Sequence, residues 1–184
     1  MSEEDKKALY EESLATQKTY EGRLFSTEQM EVRLTDGHRS TREIVRHPGG
    51  AAVVAVTDEG KVLLVSQYRI AVDSILAEIP AGKLEEKEDP FVCAKRELAE
   101  ETGYTATKWQ SLGAFYPSPG YLDEKLHLYL ATGLVRGTPH PDEGERLFVH
   151  EWPFDDVLEK IEANELTDAK TIIGILLAKE YLKR

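Results

Sequence analysis

Glu97, Glu100 and Glu101 fall at i, i+3 and i+4 of the stretch RELAEETG, at residues 96–103. Asp89-Pro90 supplies an N-cap and a first-turn proline, and Gly103 supplies a stop, so a helix is expected over about 90–102. Its apolar face would come from Phe91, Cys93 or Ala94, and Leu98. On that helix the three carboxylates share one face in the last turns. Like charges at this spacing repel by roughly 0.2–0.5 kcal/mol per pair. The negative end of the helix dipole disfavours them further. A divalent cation would remove both penalties. Oxygen-only donors suit Mg²⁺, or Mn²⁺, better than zinc, for which there is no His or Cys cluster. A solvated acidic face is the alternative for the motif taken alone.

The rest of the chain frames that helix. AAVVAVT (51–57), the turn DEG and KVLLVSQY (61–68) read as a central strand pair, because both runs are almost continuously apolar. SILAEIPAG (74–82) adds a short strand running into a loop. WQSLGAFY (109–116), KLHLYLAT (125–132) and RLFVHEW (146–152) follow as strands, with helices near 154–163 and 168–183. Upstream, KTYEGRLF (18–25), QMEVRLT (29–35), the turn TDGH and STREIVRH form a small antiparallel sheet ending at His47-Pro48-Gly49-Gly50. The first fifteen residues are polar, a short helix or a frayed end. This gives two regions, 1–47 and 48–184, in a mixed α/β chain. The expected class is an α/β/α sandwich around a mixed sheet, with a small N-terminal antiparallel sheet.

Charge and cysteine content narrow the function. With 34 acidic against 23 basic residues the net charge is −11, which argues against a nucleic-acid partner. The single cysteine, Cys93, excludes an intrachain disulfide and reads as a buried, inert thiol. No apolar run is long enough for a membrane span and the N-terminus is too charged for a signal peptide, so a cytoplasmic protein is the default. No G-x-G-x-x-G or G-x-S-x-G is present, so neither a dinucleotide fold nor a nucleophile elbow is indicated.

The acidic motif has a fixed context. Gly82, five residues, Glu88, seven residues and then Arg96-Glu97-Leu98-Ala99-Glu100-Glu101-Thr102-Gly103-Tyr104 resemble the Nudix box, Gly-x5-Glu-x7-Arg-Glu-U-x-Glu-Glu-x-Gly-U with U apolar. Tyr104 is a loose fit to the last apolar slot. REIVRHPGG (42–50), QYR (67–69), EIPAGKLE (78–85), FYPSPGYLDE (115–124), DEGE (142–145) and DAKTIIGILL (168–177) are similar to the ADP-ribose pyrophosphatase subgroup of that superfamily.

The resemblance implies metal-dependent hydrolysis of ADP-ribose to AMP and ribose 5-phosphate. It assigns Glu97, Glu100, Glu101 and the carbonyl of Ala81 as metal ligands, and Arg96 and Glu88 as their organisers. Gly82 would permit a backbone turn. Glu143 would be the base and Glu145 an additional ligand, the two being interchangeable at this point, with an exposed turn as the alternative. Arg69, Arg42 and Arg46 would offset the diphosphate charge, a surface salt bridge being the other reading of Arg42. Glu78 and Pro119 complete the expected substrate site, and Glu78 reads equally as a strand-end surface residue. His127 reads as an ordinary strand side chain, and Trp109 and Trp152 as core or interface. Tyr20, Leu24, Phe25, Val32 and Leu34 give the N-terminal sheet an apolar face that suggests a homodimer, packing on the chain's own core being the alternative. Two alternatives stay open: another nucleotide sugar or dinucleotide as substrate, and a non-catalytic ADP-ribose-sensing domain.

Overall fold

The computed structural model describes residues 1–140, 144 and 146–183. The chain divides into two compact units, Met1–Pro48 with Ser118–Glu124, and Gly49–Pro117 with Lys125–Arg184.

The first unit holds a short helix, α1 (Glu3–Ala8), and three strands, β1 (Glu12–Glu21), β2 (Ser26–Arg33) and β3 (Arg39–Arg46). They pair antiparallel in the order β1-β2-β3. The β2–β3 turn falls at the expected Thr35-Asp36-Gly37. Gly37 takes φ 86° and Asp36 accepts a hydrogen bond from the His38 N–H at 2.9 Å. β1 starts earlier than the alternation suggests and stops before Gly22, whose N–H donates to Phe25 O at 3.0 Å. Almost every β1 side chain is exposed, so the strand carries no alternating apolar signal. Segment 118–124 lies along β3: Val45 N–H donates to Tyr121 O at 2.7 Å and Asp123 N–H to Val45 O at 3.1 Å.

The second unit contains β4 (Gly50–Ala55), β5 (Lys61–Arg69), β6 (Ser74–Glu78), β7 (Ala81–Lys83), α2 (Pro90–Thr102), β8 (Tyr104–Phe115), β9 (Leu126–Arg136), β10 (Leu147–Pro153), α3 (Phe154–Glu162) and α4 (Ala169–Leu182). One sheet has the order β7-β4-β9-β8 and is mixed, since β4 and β9 run parallel and the other pairs antiparallel. The other, β10-β5-β6, is antiparallel. All six residues of β4 are buried, as expected of a strand covered on both faces.

Alternate β4 side chains enter two different cores. Ala52 and Val54 pack with Val62, Leu64, Ile79, Leu128, Val157 and Ile175, on the side of α3 and α4. Ala51, Val53 and Ala55 pack with Leu63, Cys93, Ala94 and Leu98, on the side of α2. Helices therefore cover both faces, which is the α/β/α layering expected. A Cβ on Gly174 would lie 2.9 Å from Val54 Cγ2, so glycine lets α4 approach the sheet closely.

The stretch read as a short strand running into a loop, 74–82, holds the expected strand, β6, and the start of a second, β7. β6 pairs with β5, and β7 pairs with β4. The break falls at Ile79-Pro80, where proline has no N–H for a ladder; its carbonyl accepts from Val53 N–H at 2.9 Å. The chain thereby crosses from one sheet to the other just ahead of the loop that leads into α2.

Candidate active site

Local chemistry fixes where α2 begins and ends. Asp89 caps it by accepting from Phe91 N–H at 2.8 Å and Val92 N–H at 3.3 Å, and Pro90 opens the first turn. Gly103 closes it with φ 74° and its N–H on Ala99 O at 2.9 Å. Glu97, Glu100 and Glu101 consequently occupy the last two turns. Their surroundings differ: the Glu101 residue is 3% exposed, while the Glu97 and Glu100 side chains are 12% and 32% exposed.

Arg96 organises this end of the helix. Its Nη1 donates to Glu97 Oε1 at 2.6 Å and to Glu100 Oε2 at 3.0 Å. Its Nε and Nη2 fork onto the two oxygens of Glu88, each at 2.9 Å, and Nη2 also reaches Lys83 O at 3.3 Å. Glu88 Oε2 in turn accepts from Glu85 N–H at 2.9 Å, which ties the loop before α2 to the helix itself. This pairing with Arg96 holds the Glu88 carboxyl down at about 2 and raises the Arg96 guanidinium above its ordinary value.

β7 passes directly beneath the carboxylates. Ala81 N–H donates to Glu101 Oε2 at 3.1 Å. A Cβ on Gly82 would stand 1.8 Å from Glu97 Oε1 and 2.0 Å from its Cδ. Gly82 is absent from the residues with positive φ, so what it supplies is room for the Glu97 carboxylate rather than the backbone turn expected from the sequence. Among the described residues no three His, Cys, Asp or Glu side chains converge on one point. Arg96 draws Glu97 and Glu100 toward itself, and Glu101 is turned to Ala81. The donor types are nevertheless those a hard divalent cation takes, three carboxylates and a main-chain carbonyl, and the missing side chain at Gly82 leaves the room that the Glu97 carboxylate occupies.

A second cluster forms where β6 ends. Glu78 is a 1% exposed carboxylate, gripped by the Arg69 fork, Nε to Oε1 and Nη2 to Oε2, both at 2.7 Å. Lys170, from the first turn of α4, also bonds Glu78 Oε2 and reaches Asp168 Oδ1 at 2.9 Å. Asp168 caps α4 through Thr171 N–H at 3.0 Å and accepts from Thr171 Oγ1–H at 2.6 Å, while Thr171 Oγ1 accepts from Ile79 N–H at 2.9 Å. Burial alone would push the Glu78 carboxyl up. Arg69 and Lys170 outweigh it and hold the group below the ordinary carboxylate range. Glu78 raises Arg69, with smaller contributions from Asp168 and Glu101. Sequence reasoning found Arg69 and Glu78 but missed Lys170 and Thr171. The signal was present, because a lysine in the first turn of a helix faces an unfavourable dipole and implies an anionic partner.

Residues 46–172 match the NUDIX domain family. The chain belongs to the Nudix family. An ADP-ribose pyrophosphatase of Bacillus subtilis (strain 168) is 44% identical over 96% of this chain and 98% of its own length. A methanol dehydrogenase activator of Bacillus methanolicus is 42% identical over the same shares. The crystal structure of an ADP compounds hydrolase superposes with a TM-score of 0.83 at 25% identity, covering 95% of this chain and 96% of that one.

Of the residues expected in this Nudix site, Arg96, Glu88, Ala81, Glu97, Glu100 and Glu101 gather around the end of α2. Arg69 and Glu78 form the neighbouring cluster in the same unit. Arg42, Arg46 and Pro119 belong to the other unit. Arg42 forks onto Glu11 at 2.9 and 2.6 Å and lines a cleft of about 840 Å³ with Thr27, Glu43 and Tyr121. Arg46 pairs with Glu28 at 2.9 Å and Asp123 at 3.1 Å. Glu143 and Glu145 lie outside the described residues. The chain leading toward them is fastened to α2, with Gly137 N–H on Gly103 O at 2.7 Å and His140 N–H on Glu100 O at 2.9 Å, so two carbonyls at the helix end find donors. His127 is a half-buried β9 side chain, held neutral more strongly than usual by burial and by Lys125. Trp109 packs edge-on to Phe91 at 5.4 Å, and Trp152 packs against the α3–α4 core. Burial pushes the Cys93 thiol up to about 12, which leaves it unreactive.

Proposed function

We propose that this Nudix hydrolase cleaves the diphosphate of ADP-ribose to AMP and ribose 5-phosphate, with Mg²⁺, or Mn²⁺, held by Glu97, Glu100, Glu101 and the Ala81 carbonyl. The observation that carries the substrate is the 44% identity, over almost the entire length of both chains, with a relative named ADP-ribose pyrophosphatase. The cation, when bound, would neutralise the diphosphate and lower the pKa of a water. The chain's own residues do the rest. Arg96 keeps Glu97 and Glu100 oriented, and the Ala81 N–H fixes Glu101. Arg69 presents a cation to the diphosphate while Glu78 fixes its plane. Glu143 would take the proton from the attacking water and Glu145 would be a further residue to hold the cation, the two roles being interchangeable. Arg42, Arg46 and Pro119 are the further substrate-binding residues that the family resemblance assigns. Catalysis then rests on positioning and electrostatics, without a covalent nucleophile.

The reading is tested by phosphomonoester release from ADP-ribose, GDP-mannose, NADH and diadenosine polyphosphates, with and without Mg²⁺. Metal-dependent preference for ADP-ribose is expected; preference for another member discards the substrate and keeps the Nudix chemistry. Glu101→Gln should lower turnover by orders of magnitude with the fold intact, and unchanged turnover would defeat the ligand assignment. A second reading has one observation in its favour: a relative 42% identical carries the name methanol dehydrogenase activator. On that reading the domain is a non-catalytic ADP-ribose sensor that regulates a partner. ADP-ribose binding without turnover in the same panel would move it to first place.

A further inference from the structure

Lys170 is a cation placed where its own helix disfavours one. It sits in the first turn of α4, where the dipole is positive, and its side chain is only 11% exposed. It spans two carboxylates, Glu78 and Asp168, and Glu78 is already satisfied at both oxygens by the Arg69 fork. Pairing Glu78 with Arg69 alone would leave a closed, neutral couple. The added lysine makes an alternating set of four charges, Arg69, Glu78, Lys170 and Asp168, in which Glu78 divides its charge between two cations.

The outer edge of Arg69 is what this arrangement leaves available. Nε and Nη2 are committed to Glu78, Nη1 is left out of that fork, and the Arg69 side chain is 43% exposed whereas its carboxylate partner is buried. Asp168, meanwhile, is engaged by Thr171 N–H and Oγ1–H, and Thr171 Oγ1 holds Ile79 N–H. The first turn of α4 thus grips the end of β6 two residues ahead of Ala81.

We propose that Lys170 is a positioning residue for anion recognition: by sharing the Glu78 carboxylate it keeps the Arg69 guanidinium from being fully neutralised, so that its free edge attracts a substrate diphosphate. The inference rests on the reading of Arg69 as the diphosphate-facing cation. Removing the lysine charge leaves Arg69 quenched by Glu78, with Asp168 adding uncompensated negative charge close by. Anion affinity should fall while the carboxylates on α2 are untouched.

The test compares wild-type protein with Lys170→Met, Lys170→Gln and Lys170→Arg. Lys170→Gln keeps a donor for Glu78 but not the charge, so it remains informative if the methionine variant does not fold. Steady-state kinetics on ADP-ribose with Mg²⁺ should show KM raised about tenfold in the Gln and Met variants, the loss of one charge-assisted interaction. kcat should stay within about threefold, and Lys170→Arg should restore KM. Calorimetric titration with inorganic pyrophosphate and Mg²⁺ should give the same order of affinities. A change confined to melting temperature, a fall in kcat at unchanged KM, or failure of Lys170→Arg to outperform Lys170→Gln would overturn the proposal. If wild-type protein leaves ADP-ribose intact, the substrate reading fails by itself. The pyrophosphate titration then decides the role of Lys170: equal affinity in wild type and Lys170→Gln overturns it, and weakened binding upholds it.

Discussion

A methyl group added to Gly82 would lie 1.8 Å from Glu97 Oε1, and one added to Gly103 would lie 2.6 Å from Pro139 N. The two clashes differ in what must yield. At Gly82 the obstacle is the end of a flexible side chain, so the Glu97 carboxylate swings away and the backbone stays. At Gly103 the obstacle is main chain, and φ 74° is itself strained for alanine by about 1–2 kcal/mol. Gly82→Ala should therefore keep its denaturation midpoint and lose turnover by about 100-fold, the usual cost of an ångström of misplacement. Gly103→Ala should show its loss first in stability, by at least ~1 kcal/mol in urea unfolding. Equal melting losses in both variants would contradict this division. The sequence motif contains both glycines and treats them alike; only the distances separate a glycine needed for a side chain from one needed for the chain's path.

Individual elements were legible to the extent that their signals were local. Asp89, Pro90 and Gly103 mark both ends of α2, and β4 announces itself by an unbroken apolar run. β1 was missed at its start because its side chains face solvent, and the switch from β6 to β7 is visible only once each strand has a partner. The same holds for the site: the glutamates share a helical turn and could be grouped by spacing, whereas Lys170 meets Glu78 across 92 residues. At this scale the Arg96–Glu88 fork is the tie between the loop and α2, and it makes a pH prediction. The Glu88 carboxyl is depressed from 4.5 to about 2 in the folded chain. Its contribution is therefore fully present above the unfolded value and is lost as pH falls from about 4.5 toward about 2. Glu88→Gln should be less stable than wild type by about 1 kcal/mol at neutral pH. The gap should close as urea midpoints are followed down to that acid limit. A gap independent of pH would show that the carboxylate charge is not what holds the loop.

For the whole molecule, the small N-terminal unit raises the question of what it does with its apolar side chains. Val32 is buried at 2% exposure, but Tyr20, Leu24 and Phe25 remain 53%, 48% and 39% exposed, clustered at the β1–β2 turn with the Tyr20 and Phe25 rings 5.6 Å apart. Scattered exposed apolar residues need no explanation, whereas a cluster of this kind on one turn favours a contact with another molecule. A second copy of the chain is the economical partner, since a self-complementary patch needs only two-fold symmetry. The homodimer expected from the sequence is therefore proposed to form through this turn. Leu24→Asp should then shift wild-type dimer to monomer in sedimentation equilibrium, because a charge buried without a partner is costly at an interface. Melting of the second unit's core should be little affected. If wild type sediments as a monomer, or Leu24→Asp sediments as wild-type dimer does, the turn is not the interface.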